Sequence, residues 1–269
     1  MLAALTTTMN LFQPYYLLFV GAGVLIALAF PIARHIREQR LRRQYYLLQI
    51  ITLVGAIIGA KISVLIGDYH WPWVAVNDWK SILWSGRSIT GALIFGFLFA
   101  EIAKPIVGYT MPPNDRFAAL LPFTIAIGRI GCITAGCCGG LPYDGWCAVH
   151  DAAGVARYPT QLIEIILQLA IGISFLLLVK RGLLFGHLFS IYLMAYGAFR
   201  FSTEFIRDTP KFFAGFSGYQ WISLVMMALG AAFFLKRTLA PPTSWREFRA
   251  ASQGQQFKTA PAEMEESHV

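Results

Sequence analysis

The sequence predicts an all-α fold, a polytopic membrane protein with about seven transmembrane helices. Hydrophobic residues make up 57% of the 269 positions and charged residues only 13%, whereas soluble domains carry about a quarter charged residues. Apolar runs of about 20 residues recur along the whole chain, each long enough to cross a hydrocarbon core of about 30 Å. A membrane domain is the class that fits this composition.

The apolar runs set the predicted spans and the domain organisation. A polar, proline-containing and charged run follows residue 239, which predicts a transmembrane domain over 1–239 and a disordered cytoplasmic tail over 240–269. The predicted spans are 11–33, 47–67, 88–108, 117–136, 160–179, 184–206 and 219–235.

Basic residues predict the orientation. The first apolar run ends in an arginine cluster between Arg34 and Arg43 rather than in a small-residue cleavage site, so we expect a retained span whose C-terminal end faces the cytoplasm. Alternation then gives an outside N-terminus and an inside C-terminus. The net charge of +8 and the pI near 9.5 follow from the basic cytoplasmic loops, so we expect no nucleic-acid partner.

Three charged residues interrupt the sixth predicted span. Arg200, Glu204 and Arg207 are spaced i, i+4, i+7 and therefore share one helix face. One interpretation is a ladder of ion pairs that satisfies only itself. The other is a ligand site, because two guanidinium groups share one carboxylate and the surplus planar fork matches phosphate or carboxylate oxygens.

Two further segments place polar groups at the outer ends of predicted spans. Arg129 lies in a glycine-rich stretch that ends the fourth span, and Gln161 and Glu164 share a face at the start of the fifth. Charges in spans usually face a partner or a watery cavity. The joint ligand that we expect is a phospholipid headgroup, an anion already present in that leaflet.

These segments resemble the bacterial phosphatidylglycerol–prolipoprotein diacylglyceryl transferases along most of residues 12–235. The resemblance rests on Gly-Arg-Ile-Gly at 128–131, on the Arg-Tyr-Pro-Thr-Gln-Leu-x-Glu run at 157–164 and on the charged residues of the sixth span. It implies a cofactor-free transferase of the bacterial inner (cytoplasmic) membrane. Such enzymes move the diacylglyceryl group of phosphatidylglycerol onto the lipobox cysteine of a prolipoprotein signal peptide and release glycerol phosphate.

The resemblance also implies roles for individual residues. Arg129 and Arg200 would hold the lipid phosphate and stabilise its developing charge. Thr90 stands where the family's third-span motif has a histidine proposed as a base, so we expect this catalytic position to be altered, because a threonine hydroxyl does not titrate near neutral pH. The expected substrate-binding residues are Arg207, Glu204, Gln161, Glu164, Tyr16, Gly91 and Gly131.

The altered position leaves three interpretations open. The chain is a working lipoprotein transferase whose base is His150, Glu164 or water; or a divergent transferase that uses an anionic phospholipid with another acceptor; or a non-catalytic lipid-binding member of the fold. In the second interpretation Cys132, Cys137 or Cys138 serves as a nucleophile, since a thiol near Arg129 is more reactive.

The four cysteines have a structural interpretation as well. A disulfide from Cys147 to Cys137 or Cys138 would close the outer loop under oxidising conditions, and Cys132 within the span suits packing. Adjacent cysteines are poorly spaced for tetrahedral zinc, so the sequence predicts no metal site.

Overall fold

The computed structural model of the protein describes residues 18–19, 21–23, 25–26, 39–67, 88–109 and 115–239. The three short runs near the N-terminus are helical. They fall within the first predicted span, most of which lies outside the described residues, as does the predicted tail over 240–269.

The described residues are mainly α-helical. They also contain a 3₁₀ turn, Glu204–Ile206, and two antiparallel two-stranded hairpins. The helices are α1 (Gln39–Gly67), α2 (Ile89–Val107), α3 (Asp115–Thr134), α4 (Thr160–Lys180), α5 (Leu188–Thr203) and α6 (Gly218–Leu239). The strands are β1 (Val149–His150), β2 (Ala156–Arg157), β3 (Lys211–Phe213) and β4 (Phe216–Ser217).

Five of these helices, all except α5, are long and apolar enough to cross a membrane. They coincide with five predicted spans, which confirms those spans as helices and the chain as a polytopic, mostly helical membrane protein. The first of the five begins at Gln39 rather than at the predicted 47, because its leading arginines are good helix formers. The predicted span 184–206 is the shorter helix α5, of 16 residues.

Small residues allow α1 and α2 to approach each other closely. A Cβ atom on Gly91 would lie 2.1 Å from the carbonyl oxygen of Gly59, and one on Gly59 would lie 2.3 Å from that of Gly91. Side chains larger than hydrogen would force the two backbones apart, so the glycines allow the helices to pack backbone to backbone. The structure thus gives Gly91 a packing role.

Polar side chains lie inside the bundle and apolar ones face outward. Gln168, Ser190 and Gln220 are fully buried, whereas Ile106 is 79% and Ile166 67% exposed. Lipid tails are as apolar as leucine, so exposed aliphatic side chains on a spanning helix are covered in the bilayer. The aromatic core between α2 and α5 includes Phe97 stacked on Phe189, with ring centroids 5.0 Å apart.

One end of the bundle is held by what we name the Arg237 cluster, formed by Glu101, Lys104, Asp115 and Arg237. Arg237 contacts Glu101 at 2.9 Å and donates to the carbonyl oxygen of Gly186 at 2.7 Å. Glu101 also pairs with Lys104, and Asp115 accepts hydrogen bonds from two backbone N–H groups at the start of α5. The cluster ties α2, α3, α5 and α6 together.

Candidate functional site

The opposite end of the bundle carries a continuous chain of charged side chains, which we name the arginine site. Arg129 comes from the last turns of α3, Glu164 from the first turns of α4 and Arg200 from the last turn of α5. Glu204, in the 3₁₀ turn, and Arg207, just after it, complete the set. The three helices end or begin at this level, so side chains far apart in sequence meet there.

Glu164 is the centre of the arginine site. Its side chain is 1% exposed, and its two carboxylate oxygens contact Arg129 at 2.9 Å and Arg200 at 3.8 Å. The hydroxyl group of Tyr196 donates a third contact to the same carboxylate at 2.6 Å. A buried carboxylate is tolerated when cations and hydrogen-bond donors satisfy it. The predicted meeting of Arg129 and Arg200 is therefore observed, with Glu164 between them.

Glu204 is the second anion of the arginine site. Its carboxylate is fully buried and contacts Arg200 at 3.2 Å and Arg207 at 3.7 Å. Two guanidinium groups thus share this carboxylate, as the i, i+4, i+7 spacing predicts. The α-helix ends at Thr203, but the tighter 3₁₀ turn that follows keeps all three charges close together.

The charges of the arginine site do not balance. Arg129, Arg200 and Arg207 carry three positive charges against two carboxylates. Among the described residues, Nε of Arg207 and one carboxylate oxygen of Glu204 have no hydrogen-bond partner. A planar guanidinium group offers paired N–H donors to phosphate or carboxylate oxygens, so the arrangement can accept one anionic group.

A loop between α3 and α4 packs against the arginine site. Gln161 donates through its side-chain amide to the carbonyl oxygen of Cys137 at 2.6 Å, and Thr160 donates to that of Cys138 at 2.8 Å. A Cβ atom on Gly140 would lie 2.5 Å from the carbonyl oxygen of Ile206, so only glycine permits this approach. The loop is therefore anchored both to α4 and to the turn that carries Glu204.

An ion pair closes the hairpin of the same loop. Arg157 contacts Asp151 at 2.6 Å and donates to the carbonyl oxygen of Gly140 at 3.2 Å. The hydrogen bond from Arg157, together with backbone N–H donors from Val155 and Ala153, holds the pKa of Asp151 below its usual value.

The cysteines are grouped differently from the predicted disulfide partners. All four are free thiols. Cys132, rather than Cys147, joins Cys137 and Cys138 in a group whose sulfur atoms lie within 4.8 Å of one another. The reason is local: the chain turns back at the end of α3, and the Cys137 N–H donates to the carbonyl oxygen of Cys132 at 3.0 Å.

Other predicted site residues lie elsewhere or make other contacts. Thr90 is buried and hydrogen-bonded to Ser88 at 2.7 Å; within the described ranges it makes no hydrogen bond to an arginine. Gly131 is buried near the end of α3, where its carbonyl oxygen accepts a hydrogen bond from Thr134. His150 is exposed on β1. Tyr16 lies outside the described residues.

Two residues of this region, Tyr196 and Gln168, are absent from the predicted site. Tyr196 binds Glu164, and the hydroxyl of the neighbouring Tyr192 donates to Gln168 at 3.0 Å. Gln161, Glu164 and Gln168 are spaced i, i+3, i+7 along an apolar span. That spacing was the available signal, because polar residues on one face of a spanning helix need partners inside the bundle.

The fold and the arginine site together describe a multi-pass helical membrane protein with three arginines and two carboxylates clustered at one end. Comparison with known proteins makes this specific. The chain belongs to the prolipoprotein diacylglyceryl transferase family, whose model matches residues 7–236. This confirms the resemblance seen in the sequence.

Several relatives carry the name phosphatidylglycerol–prolipoprotein diacylglyceryl transferase. The protein of Bordetella bronchiseptica is 33% identical over 208 residues, covering 71% of this chain and 77% of the relative. That of Bordetella parapertussis is 30% identical over 209 residues, with the same coverage. A second such transferase of Clostridium perfringens is 27% identical over 231 residues, covering 81% of this chain and 89% of the relative.

Proposed function

We propose that this protein transfers the diacylglyceryl group of phosphatidylglycerol to the thiol of a prolipoprotein cysteine. Family membership supports the reaction class. The observation that carries the proposal is the contact of Arg129 and Arg200, from two different helices, with the single carboxylate of Glu164 at 2.9 and 3.8 Å. These two guanidinium groups are held together and leave a net positive charge for a lipid phosphate.

The chemistry explains why surplus positive charge is useful. The thiolate sulfur forms a bond to the terminal glyceryl carbon, the bond from that carbon to the phosphate oxygen breaks, and glycerol phosphate leaves with the electron pair. The phosphate thereby passes from one negative charge to two. Fixed guanidinium groups stabilise charge that develops in the transition state more than charge already present.

Glu164 serves as a positioning residue in this mechanism. Its carboxylate is occupied by Arg129, Arg200 and the Tyr196 hydroxyl, so accepting a proton from the substrate thiol would break the contacts that orient the two arginines. His150 is exposed and is the side chain to test as the base, since Thr90 cannot act as one near neutral pH. Loss of a general base slows such a reaction by about 10²–10⁴-fold without abolishing it.

The proposal includes the finer topology: seven spans, an outside N-terminus, an inside C-terminus and residence in the bacterial inner membrane. It places the arginine site toward the outer leaflet and the Arg237 cluster toward the cytoplasm. Fusing a cytoplasm-active fluorescent protein to the C-terminus is expected to give fluorescent cells, and a periplasm-active phosphatase at the same point is expected to be inactive. The reverse pattern contradicts this orientation.

The activity is tested with purified protein, phosphatidylglycerol vesicles and a peptide that carries a lipobox cysteine. Mass spectrometry is expected to show the peptide heavier by one diacylglyceryl group, together with released glycerol phosphate. The matched control replaces the cysteine of the peptide by serine. Absence of transfer by the intact, monodisperse protein contradicts the proposed acceptor, and expression in a transferase-depleted bacterium provides a second test.

A further inference from the structure

The group of three thiols beside the arginine site has no part in the mechanism above. The sulfur atoms of Cys132, Cys137 and Cys138 lie within 4.8 Å of one another. We propose that these three thiols form a binding site for one Cu(I) ion. This inference does not rest on the proposed function, since the site and its test are independent of lipid transfer.

The backbone is shaped to bring the thiols together. α3 ends in a turn in which Gly136 adopts a φ of 59° and Cys138 a φ of 65°. A left-handed conformation is ordinary for glycine but uncommon and costly for a residue with a side chain. The side chains of Gln161 and Thr160 hold this turn through the carbonyl oxygens of Cys137 and Cys138, at 2.6 and 2.8 Å.

The spacing of the sulfur atoms suits a three-coordinate metal. With metal–sulfur bonds of about 2.3 Å, a trigonal centre places its sulfurs about 4 Å apart. The observed limit of 4.8 Å therefore requires side-chain shifts of less than about 1 Å. Rotation about the Cα–Cβ bonds supplies such shifts without moving the backbone.

Ligand type and number select the metal. Thiolates are soft ligands that favour Cu(I), zinc and iron–sulfur clusters. Structural zinc is almost always four-coordinate, whereas the group found among the described residues holds three ligands. The nearby carboxylates of Glu164 and Glu204 are engaged by arginines. Cu(I), which is stable with three thiolates, is the cation that fits.

Charge also suits the proposal. A guanidinium nitrogen of Arg129 lies 3.9 Å from the sulfur of Cys132, so its positive charge would offset part of the negative charge of a metal centre with three thiolate ligands. Cys132 is buried at the end of α3, and Cys137 and Cys138 lie in the turn that follows.

The test is titration of the full-length, reduced protein in detergent micelles with Cu(I), without oxygen and against a competing Cu(I) chelator. We expect one Cu(I) per chain and an X-ray absorption spectrum with three sulfur neighbours. Cys132→Ser, Cys137→Ser and Cys138→Ser each remove a ligand. Mutation of a partner that only supports a ligand costs about 10–100-fold in affinity, so each of these variants is expected to bind at least about tenfold more weakly. Cys147→Ser is the matched control and is expected to bind like the parent protein.

Three results overturn the proposal: no Cu(I) bound in competition with the chelator, unchanged affinity in the Cys137→Ser or Cys138→Ser protein, or an equal loss in Cys147→Ser. Preferential binding of Zn(II) with four ligands also overturns it. Gel filtration shows whether each variant is folded. Cys137→Ser and Cys138→Ser lie in the turn after α3 rather than within the helix, so they keep the test decisive even if Cys132→Ser does not fold.

Discussion

The two ends of the helix bundle both carry clusters of charge, about 20 Å apart along α3 by its rise per residue. The Arg237 cluster holds two cations and two carboxylates: Lys104 and Arg237 both contact Glu101, and Asp115 lies at the same end of the bundle. Asp115 accepts from the N–H groups of Gly186 and Leu188, so this cluster also caps α5. Its positive and negative charges balance, and its contacts join helices to one another.

The arginine site differs from the Arg237 cluster in its balance of charges and in the hydrogen bonding of its polar atoms. Three guanidinium groups meet two carboxylates, and polar atoms of Arg207 and Glu204 have no hydrogen-bond partner among the described residues. A buried group with neither partner nor water is costly. The comparison teaches that two charged clusters of similar size differ in charge balance and in hydrogen bonding, and this difference supports the proposed ligand role for the arginine site rather than for the Arg237 cluster.

The largest expected effect separates the two clusters by activity. Arg129→Ala or Arg200→Ala removes a guanidinium group from the developing phosphate charge, and we expect transfer to the lipobox peptide to fall by at least about 10²–10³-fold. Arg237→Ala is expected to lower the unfolding temperature and to leave the activity of the folded fraction close to that of the parent. Arg181→Ala, an exposed arginine, is the baseline for both measurements.

Two outcomes break the comparison. Full activity in the Arg129→Ala and Arg200→Ala proteins contradicts the proposed phosphate site. A loss of activity of the same size in folded Arg237→Ala protein contradicts the functional distinction between the two clusters.

Individual residues show what could be predicted from the sequence. The meeting of Arg129 and Arg200 was predictable, because both lie near the outer ends of predicted spans and isolated charges there need partners. The carboxylate that bridges them was not assigned from the sequence, since periodicity places Glu164 on a helix face without saying which helix lies opposite. The fold class follows from composition, whereas the packing of α1 on α2 depends on which glycines face each other.

The cysteines lie beyond what the sequence could predict. Oxidising conditions at the outer face suggest Cys147 as a disulfide partner of Cys137 or Cys138, whereas the turn at the end of α3 groups Cys132 with those two residues. That turn depends on Cys138 in a left-handed conformation, which no propensity rule predicts for a residue other than glycine.

Neutralising one carboxylate in each cluster is expected to distinguish the clusters by their effect on the stability of the protein. Glu164→Gln leaves two buried guanidinium groups without their shared counter-charge, and breaking a buried ion pair from one side costs about 3–5 kcal/mol. Glu101 is 19% exposed, against 1% for Glu164, so Glu101→Gln is expected to cost less. Thermal unfolding in micelles measures both, and equal destabilisation by the two variants contradicts the expectation.

Two stacked tyrosines offer a smaller and well-matched test. Tyr196 donates to the charged Glu164 and Tyr192 to the neutral Gln168, at 2.6 and 3.0 Å. Hydrogen bonds to charged groups contribute about 1.5–3 kcal/mol and neutral ones about 1 kcal/mol. Tyr196→Phe is therefore expected to lower both stability and transfer, and Tyr192→Phe to lower stability slightly with little change in transfer. A greater loss of transfer in Tyr192→Phe than in Tyr196→Phe contradicts the assignment of the orienting role to Tyr196.

The smallest expected effect concerns the loop that packs on the arginine site, and it depends on pH. Arg157 holds the pKa of Asp151 below its usual value, so the folded loop favours the carboxylate. The contribution is present above the unfolded pKa of about 3.9 and is lost as the pH falls through the lower folded value. Asp151→Asn is expected to lower the unfolding temperature near neutral pH, with the difference from the parent shrinking below about pH 4. Asp144→Asn, an exposed acid in the same loop, is the control, and a difference that grows on acidification contradicts the assigned sign.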